Sequence, residues 1–114
     1  MADGVILIDI EDGVKRVMNN KKLYTKLLSK FKDGTNLNDL DAALAANDLE
    51  KAQIAAHTIK GLAANLSLSE LYKQSLELEA QIKAKAVVPG QMDILKNTFT
   101  ETLQEVDKVI AENG

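Results

Sequence analysis

From Met92 to Ile110 an apolar side chain returns every three or four residues, at Met92, Leu95, Phe99, Leu103, Val106 and Ile110. That 3.6-residue period specifies a helix with one buried face. It recurs upstream at Ile8, Ile10, Val14 and Val17, broken near Asn19-Asn20, and again at Leu23, Leu27, Leu28 and Phe31 before a turn at Lys32-Asp33-Gly34. Leu37, Leu40, Ala43 and Leu44 mark a third helix that stops at Asn47. Asp48 is a good N-cap for a fourth, running to about Leu66. Ser67-Leu68-Ser69-Glu70 has the form of a capping box, which starts a fifth helix at Leu68 that continues through Leu71, Ser75, Leu78 and Ile82 to about Ala86. Pro89, the single proline of the chain, is placed to open the last helix.

Abundant Ala, Leu, Lys, Glu and Gln with few aromatic residues favour helix on propensity as well. Short turns between long helices make antiparallel neighbours. The expected fold is therefore all-α, an antiparallel four-helix bundle with one or two short additional N-terminal helices, and 114 residues suffice for one domain spanning 1–114.

The absence of cysteine forbids disulfides, and one histidine cannot build a Cys/His zinc site, so no metal is expected. A net charge of -3 argues against nucleic acid, whose binding draws on clustered Lys and Arg. The apolar run Val5 to Ile8 is too short for a membrane span, and Asp3 stands where a signal peptide would carry positive charge, so the expected setting is cytoplasmic. A self-sufficient bundle also makes a monomer the expectation.

The lone histidine, His57, falls in the middle of the fourth helix. At about 100° per residue, Ala52, Ala55, Ile59, Leu62, Ala63 and Leu66 gather on one side, and His57 points almost opposite them. Gly61 and Ala64 lie near it, Gln53 flanks it one turn earlier and Lys60 sits to one side. Glycine inside a helix costs about 1 kcal/mol relative to alanine, and nothing in the pattern compensates for it at Gly61. Small residues around an exposed imidazole clear space for a partner surface that carries a reacting group. Neutral imidazole is a competent nucleophile for phosphoryl transfer, and Lys60 could offset phosphoryl charge. A solvated histidine on an ordinary surface helix accounts for the same pattern.

The run Ala56-His57-Thr58-Ile59-Lys60-Gly61-Leu62-Ala63-Ala64-Asn65-Leu66 resembles the signature of histidine-containing phosphotransfer (HPt) domains of two-component phosphorelays. Gly13-Val14-Lys15-Arg16-Val17, Leu23-Tyr24, Leu27-Leu28 and Phe31 are similar to that family's opening helices, Ala42-Leu44 with Asn47-Asp48 to its lead into the histidine helix, and Leu78-Glu79 to a pair on the next helix. The resemblance implies that His57 is phosphorylated, that Lys60 stabilises the phosphoryl group, and that Gly61 lets partner and phosphate approach. It also implies that Glu79 hydrogen-bonds the histidine and fixes its tautomer; an ordinary exposed carboxylate is the alternative there. Where the family has glycine ten residues after the histidine, this chain has Ser67, which the capping box would explain as another way to make the turn.

The implied activity is a relay in which His57 accepts a phosphoryl group and passes it to or from an aspartate of a response-regulator receiver domain. No glycine-rich nucleotide loop is present, so a receiver or a hybrid sensor histidine kinase would have to load it, with Mg²⁺ supplied by the receiver. Gln53, Ala56 and Ala64, rimmed by Val14 and Val17 of the first helix, form the expected docking surface; plain core packing is the alternative for the two valines. A helical module that binds receivers without being phosphorylated keeps the same fold. A hydrolase using His57 as general base lacks a placed Ser or Cys nucleophile and a pocket. The pairs Asp39/Asp41 and Glu77/Glu79, spaced by two, fall on different helix faces and are expected to be solvated, and Tyr24 and Tyr72 to lie at the core edge with wet hydroxyls.

Overall fold

The computed structural model describes residues 7–32 and 36–113. Among them are six helices: α1 (Ile10–Arg16), α2 (Lys21–Lys32), α3 (Asn36–Ala45), α4 (Leu49–Leu66), α5 (Ser69–Lys83) and α6 (Gln91–Asn113). The turn expected at Lys32-Asp33-Gly34 falls, at Asp33 and Gly34, outside the described residues. α4 packs against α3 and α5, α6 against α5 and α2, and α2 closes the ring on α4. The two shorter helices are α1 and α3. The links 46–48 and 67–68 are too short to let consecutive helices do anything but reverse, so α3, α4 and α5 run alternately up and down. No described helix is long and apolar enough to cross a membrane.

The buried face of α4 is Ala52, Ala55, Ala56, Ile59, Ala63 and Leu66. Its run of alanines lets α3 and α5 approach closely, while Leu28, Leu40, Leu71, Leu78 and Leu95 fill the interior around it. Burying each such leucine contributes about 1.5–3 kcal/mol.

Helices α1, α3, α4 and α5 end alike. A residue at positive φ (Met18, Asn47, Ser67 or Lys85) turns the chain, and the next amide bonds back five residues to the carbonyl of Val14, Ala43, Ala63 or Gln81. This is the Schellman geometry that glycine usually serves. It corrects the capping-box expectation: Ser67, at φ 57° and ψ 40°, ends α4, and α5 starts at Ser69 with Leu68 as an N-cap that makes no side-chain bond. A two-residue reversal requires that left-handed bend. The Ser67 hydroxyl is instead 2.5 Å from Asp12 Oδ2 on α1, and the Ser67 carbonyl accepts from the Asp9 amide at 2.9 Å. Lys85 likewise stops α5 before Ala86. Pro89 does not open α6: Pro89 and Gly90 form a turn in which the Gln91 amide bonds to the Val88 carbonyl, and Gly90 takes φ 89°, a conformation open to glycine.

Tyr24 is a core residue, not an edge one. It is 1% exposed, its hydroxyl donates to the Leu66 carbonyl at 2.6 Å, and burial pushes its phenol up to about 12. Gly13 of α1 lies against this ring so closely that a Cβ there would sit 2.4 Å from Tyr24 Cε1. α1 is thereby seated on both α2 and the C-terminal end of α4. Gly13→Ala should destabilise the protein by about 1–3 kcal/mol in urea unfolding, because the pinned ring cannot yield, although alanine is the better helix former. An unchanged or raised stability would mean that α1 is not held this way.

Candidate functional site

Because the buried stripe of α4 runs through Ala52, Ala55, Ala56, Ile59 and Ala63, His57 is turned outward and its side chain is 67% exposed. One turn on, Gly61 is exposed, and a Cβ added there would meet nothing within 4 Å. No packing among the described residues therefore calls for glycine at this position. Gln53 and Ala64 are half-buried on the same side.

The reversal at Ser67-Leu68 sets the register of α5 against α4. His57 lies nine residues before the end of α4 and Glu79 ten after the start of α5, so the two stand level. The Glu79 side chain is only 3% exposed, contrary to the expectation of a solvated carboxylate. Its Oε2 is 3.1 Å from His57 Nδ1, its Oε1 accepts from Lys60 Nζ at 2.5 Å, and Lys83 Nζ stands 3.8 Å from Oε2. Burial pushes the Glu79 carboxyl up, but the Lys60 ammonium, the His57 hydrogen bond and the Lys83 charge outweigh it and hold the carboxyl below its ordinary range. An ionised carboxylate only accepts hydrogen bonds, so Nδ1 must be the protonated ring nitrogen. In the neutral ring it is then Nε2 that carries the lone pair.

Gln53, Ile54, His57, Thr58, Glu79 and Lys83 line a shallow depression of about 330 Å³. Three of these, Ile54, Thr58 and Lys83, were not among the expected site residues. Ile54, 62% exposed, is an apolar residue off the buried stripe one turn before His57, a mismatch visible in the helical pattern. Lys83 lies one turn after Glu79 on α5, at a spacing that signals a shared helix face.

Other expected surface residues are placed differently. Ala56 is fully buried, since its position four residues after Ala52 and three before Ile59 puts it on the core stripe, and it cannot touch a partner. Val14, 8% exposed, belongs to the core as well, held inward where α1 packs down on α4. Val17 is half-buried and, with Leu27, Phe31, Leu62 and Asn65, lines a second groove of about 580 Å³ between α1, α2 and α4. Leu62 and Asn65 stand roughly 7–12 Å along the axis from His57 at 1.5 Å per residue. Tyr72 is 38% exposed. Among the described residues, no group of three or more His, Asp or Glu side chains could hold a metal ion.

The acid dependence of this cluster has a definite sign. With its folded value held below the ordinary 4.5, Glu79 contributes stability that is present above that pH and lost as pH falls through the lowered value. Between about pH 5 and 3, native protein should lose more stability in urea than Glu79→Gln, whose other carboxylates titrate alike; equal losses would mean that the Glu79 carboxylate is not stabilised by its partners.

Residues 27–110 match the sequence model of a family described as the Hpt domain, a span that takes in half of α2, all of α3 to α5 and nearly all of α6. It includes His57, Lys60, Gly61, Glu79 and Lys83, whereas α1 lies outside it. Neither a curated protein nor a solved structure matches the chain. An exposed imidazole anchored on a helical bundle and a family match over most of the sequence converge: the chain belongs to the Hpt-domain family, whose members carry out histidine phosphotransfer in two-component systems.

Proposed function

We propose that His57 accepts a phosphoryl group at Nε2 and relays it to or from an aspartate of a response-regulator receiver domain. The observation that carries this reading is the single histidine held by Nδ1 on a buried carboxylate while its side chain stays 67% exposed. In the loading step the Nε2 lone pair attacks phosphorus, and the bond from phosphorus to the donor's aspartyl oxygen breaks with its electron pair going to that carboxylate. The ring keeps its Nδ1 proton, and the positive charge it acquires is met by Glu79. Transfer onward runs the same step in reverse. Phosphoryl transfer demands positioning and charge stabilisation more than covalent chemistry, so a prealigned ring suits it.

Glu79 is engaged by His57 and Lys60, which supports a scheme in which Mg²⁺ arrives in the receiver's acidic site. The receiver, or a hybrid kinase bearing one, covers Gly61 and Ala64 and extends over the groove at Leu62 and Val17, with Gln53 and Ile54 at the opposite edge. Lys30 also lines that groove and offers positive charge to an acidic partner, whereas Arg16 beside it is paired with Asp12. The relay operates in the cytoplasm, where such receivers reside.

Incubation with a phosphorylated receiver and Mg²⁺ should add the mass of one phosphoryl group, labile to acid and absent from His57→Gln. No gain with receivers or with phosphoramidate would leave a binding module that is not phosphorylated. Gly61→Ala should raise stability by about 1 kcal/mol while slowing transfer from the receiver, because the methyl fills the space kept for the partner. Unslowed transfer would remove Gly61 from the interface.

A further inference from the structure

We infer that the cation meeting the phosphoryl group on His57 is Lys83, and that Lys60 acts instead as a positioning residue through Glu79. The inference rests on the phosphotransfer reading above and reassigns the charge within that site. One carboxylate here faces two ammonium groups, and the two are bound differently. Lys60 Nζ makes a 2.5 Å bond to Oε1 and its side chain is 20% exposed. Lys83 Nζ, at 3.8 Å from Oε2, is beyond hydrogen-bond range, and its side chain is 56% exposed.

Swinging Lys60 toward a phosphate would strip a carboxylate that is 3% exposed of its shortest partner, and breaking a buried ion pair is strongly unfavourable. Lys83 can leave at little cost. It sits on the same oxygen as His57 Nδ1, and it lines the depression at the imidazole while Lys60 does not. Before transfer, the loose pair with Glu79 keeps the ammonium beside the ring. When phosphorus bonds to Nε2 and its bond to the aspartyl oxygen breaks, the phosphoryl oxygens bring up to two negative charges into the depression. The flexible Lys83 stem then carries its ammonium from Oε2 to those oxygens, and Lys60 stays to hold Glu79 against Nδ1.

The test compares native protein, Lys83→Gln, Lys83→Arg and Lys60→Gln. Loading from phosphoramidate and transfer to a receiver are followed by intact mass, and the His57 ring nitrogens by ¹⁵N NMR. Lys83→Gln should load and transfer about tenfold more slowly, the size of one charge-assisted hydrogen bond, with the Nδ1-protonated ring unchanged, and Lys83→Arg should recover most of the rate. Lys60→Gln should disturb the ring tautomer. Native rates in Lys83→Gln overturn the inference, as does a slow Lys60→Gln whose tautomer is intact. The Lys83 pair decides the matter by itself if Lys60→Gln does not fold. Failure of the native protein to load is a separate outcome, which removes the phosphotransfer reading and this inference with it.

Discussion

A carboxylate that is 3% exposed remains ionised only if hydrogen-bond donors and positive charges surround it, and Glu79 draws the His57 ring and the Lys60 and Lys83 ammonium groups together for that reason. The grouping requires α4 and α5 to lie antiparallel in one register, which the reversal at Ser67-Leu68 imposes. A slip of one residue along α5 would rotate Glu79 by about 100° and leave a charge facing leucines. The Glu79 cluster and the hairpin turn therefore specify the same arrangement from opposite ends. The consequence is an imidazole whose orientation the fold itself sets, so that in the proposed relay the entropy of aligning the nucleophile would be met in folding rather than in the encounter.

The far end of α4 is secured by different means. Tyr24 caps the Leu66 carbonyl, Ser67 reaches Asp12, and the Asp9 amide reaches the Ser67 carbonyl. These contacts seat α1 and α2 on α4 and form the groove at Val17, Leu27, Phe31 and Leu62. Leu66, the last residue of α4, both lines the groove and receives the Tyr24 hydroxyl, directly before the turn that sets the α5 register. α4 thus carries His57 near its middle and the groove toward its C-terminal end.

Much of this was legible in the residues. The apolar period marks every helix, and the angle between His57 and the alanine stripe turns the imidazole outward. Asp48 caps α4 as its position suggests, accepting from the Lys51 amide. Most of the missed features depend on tertiary context. Ser67 fits a capping box and a left-handed C-cap equally well on composition, and only the two-residue link selects the second. Ala56 stands next to His57 in sequence, yet one residue is about 100° of helix and the difference between core and surface. Glu79 reads as a surface carboxylate because its two hydrogen-bonded partners lie 19 and 22 residues away. Its importance was signalled by family resemblance alone. Gly13 carries no local sign that Tyr24 will press against it.

The central claim is that Glu79 holds His57 with its proton on Nδ1 and Nε2 free. The most direct test is a long-range ¹H–¹⁵N NMR spectrum of the His57 ring at neutral pH, in native protein and in Glu79→Ala. Nδ1 should be protonated and Nε2 unprotonated in the native protein, shifting toward the Nε2-protonated form that free imidazole side chains favour once the carboxylate is removed. An Nε2-protonated ring in the native protein, or a tautomer indifferent to Glu79, would contradict it.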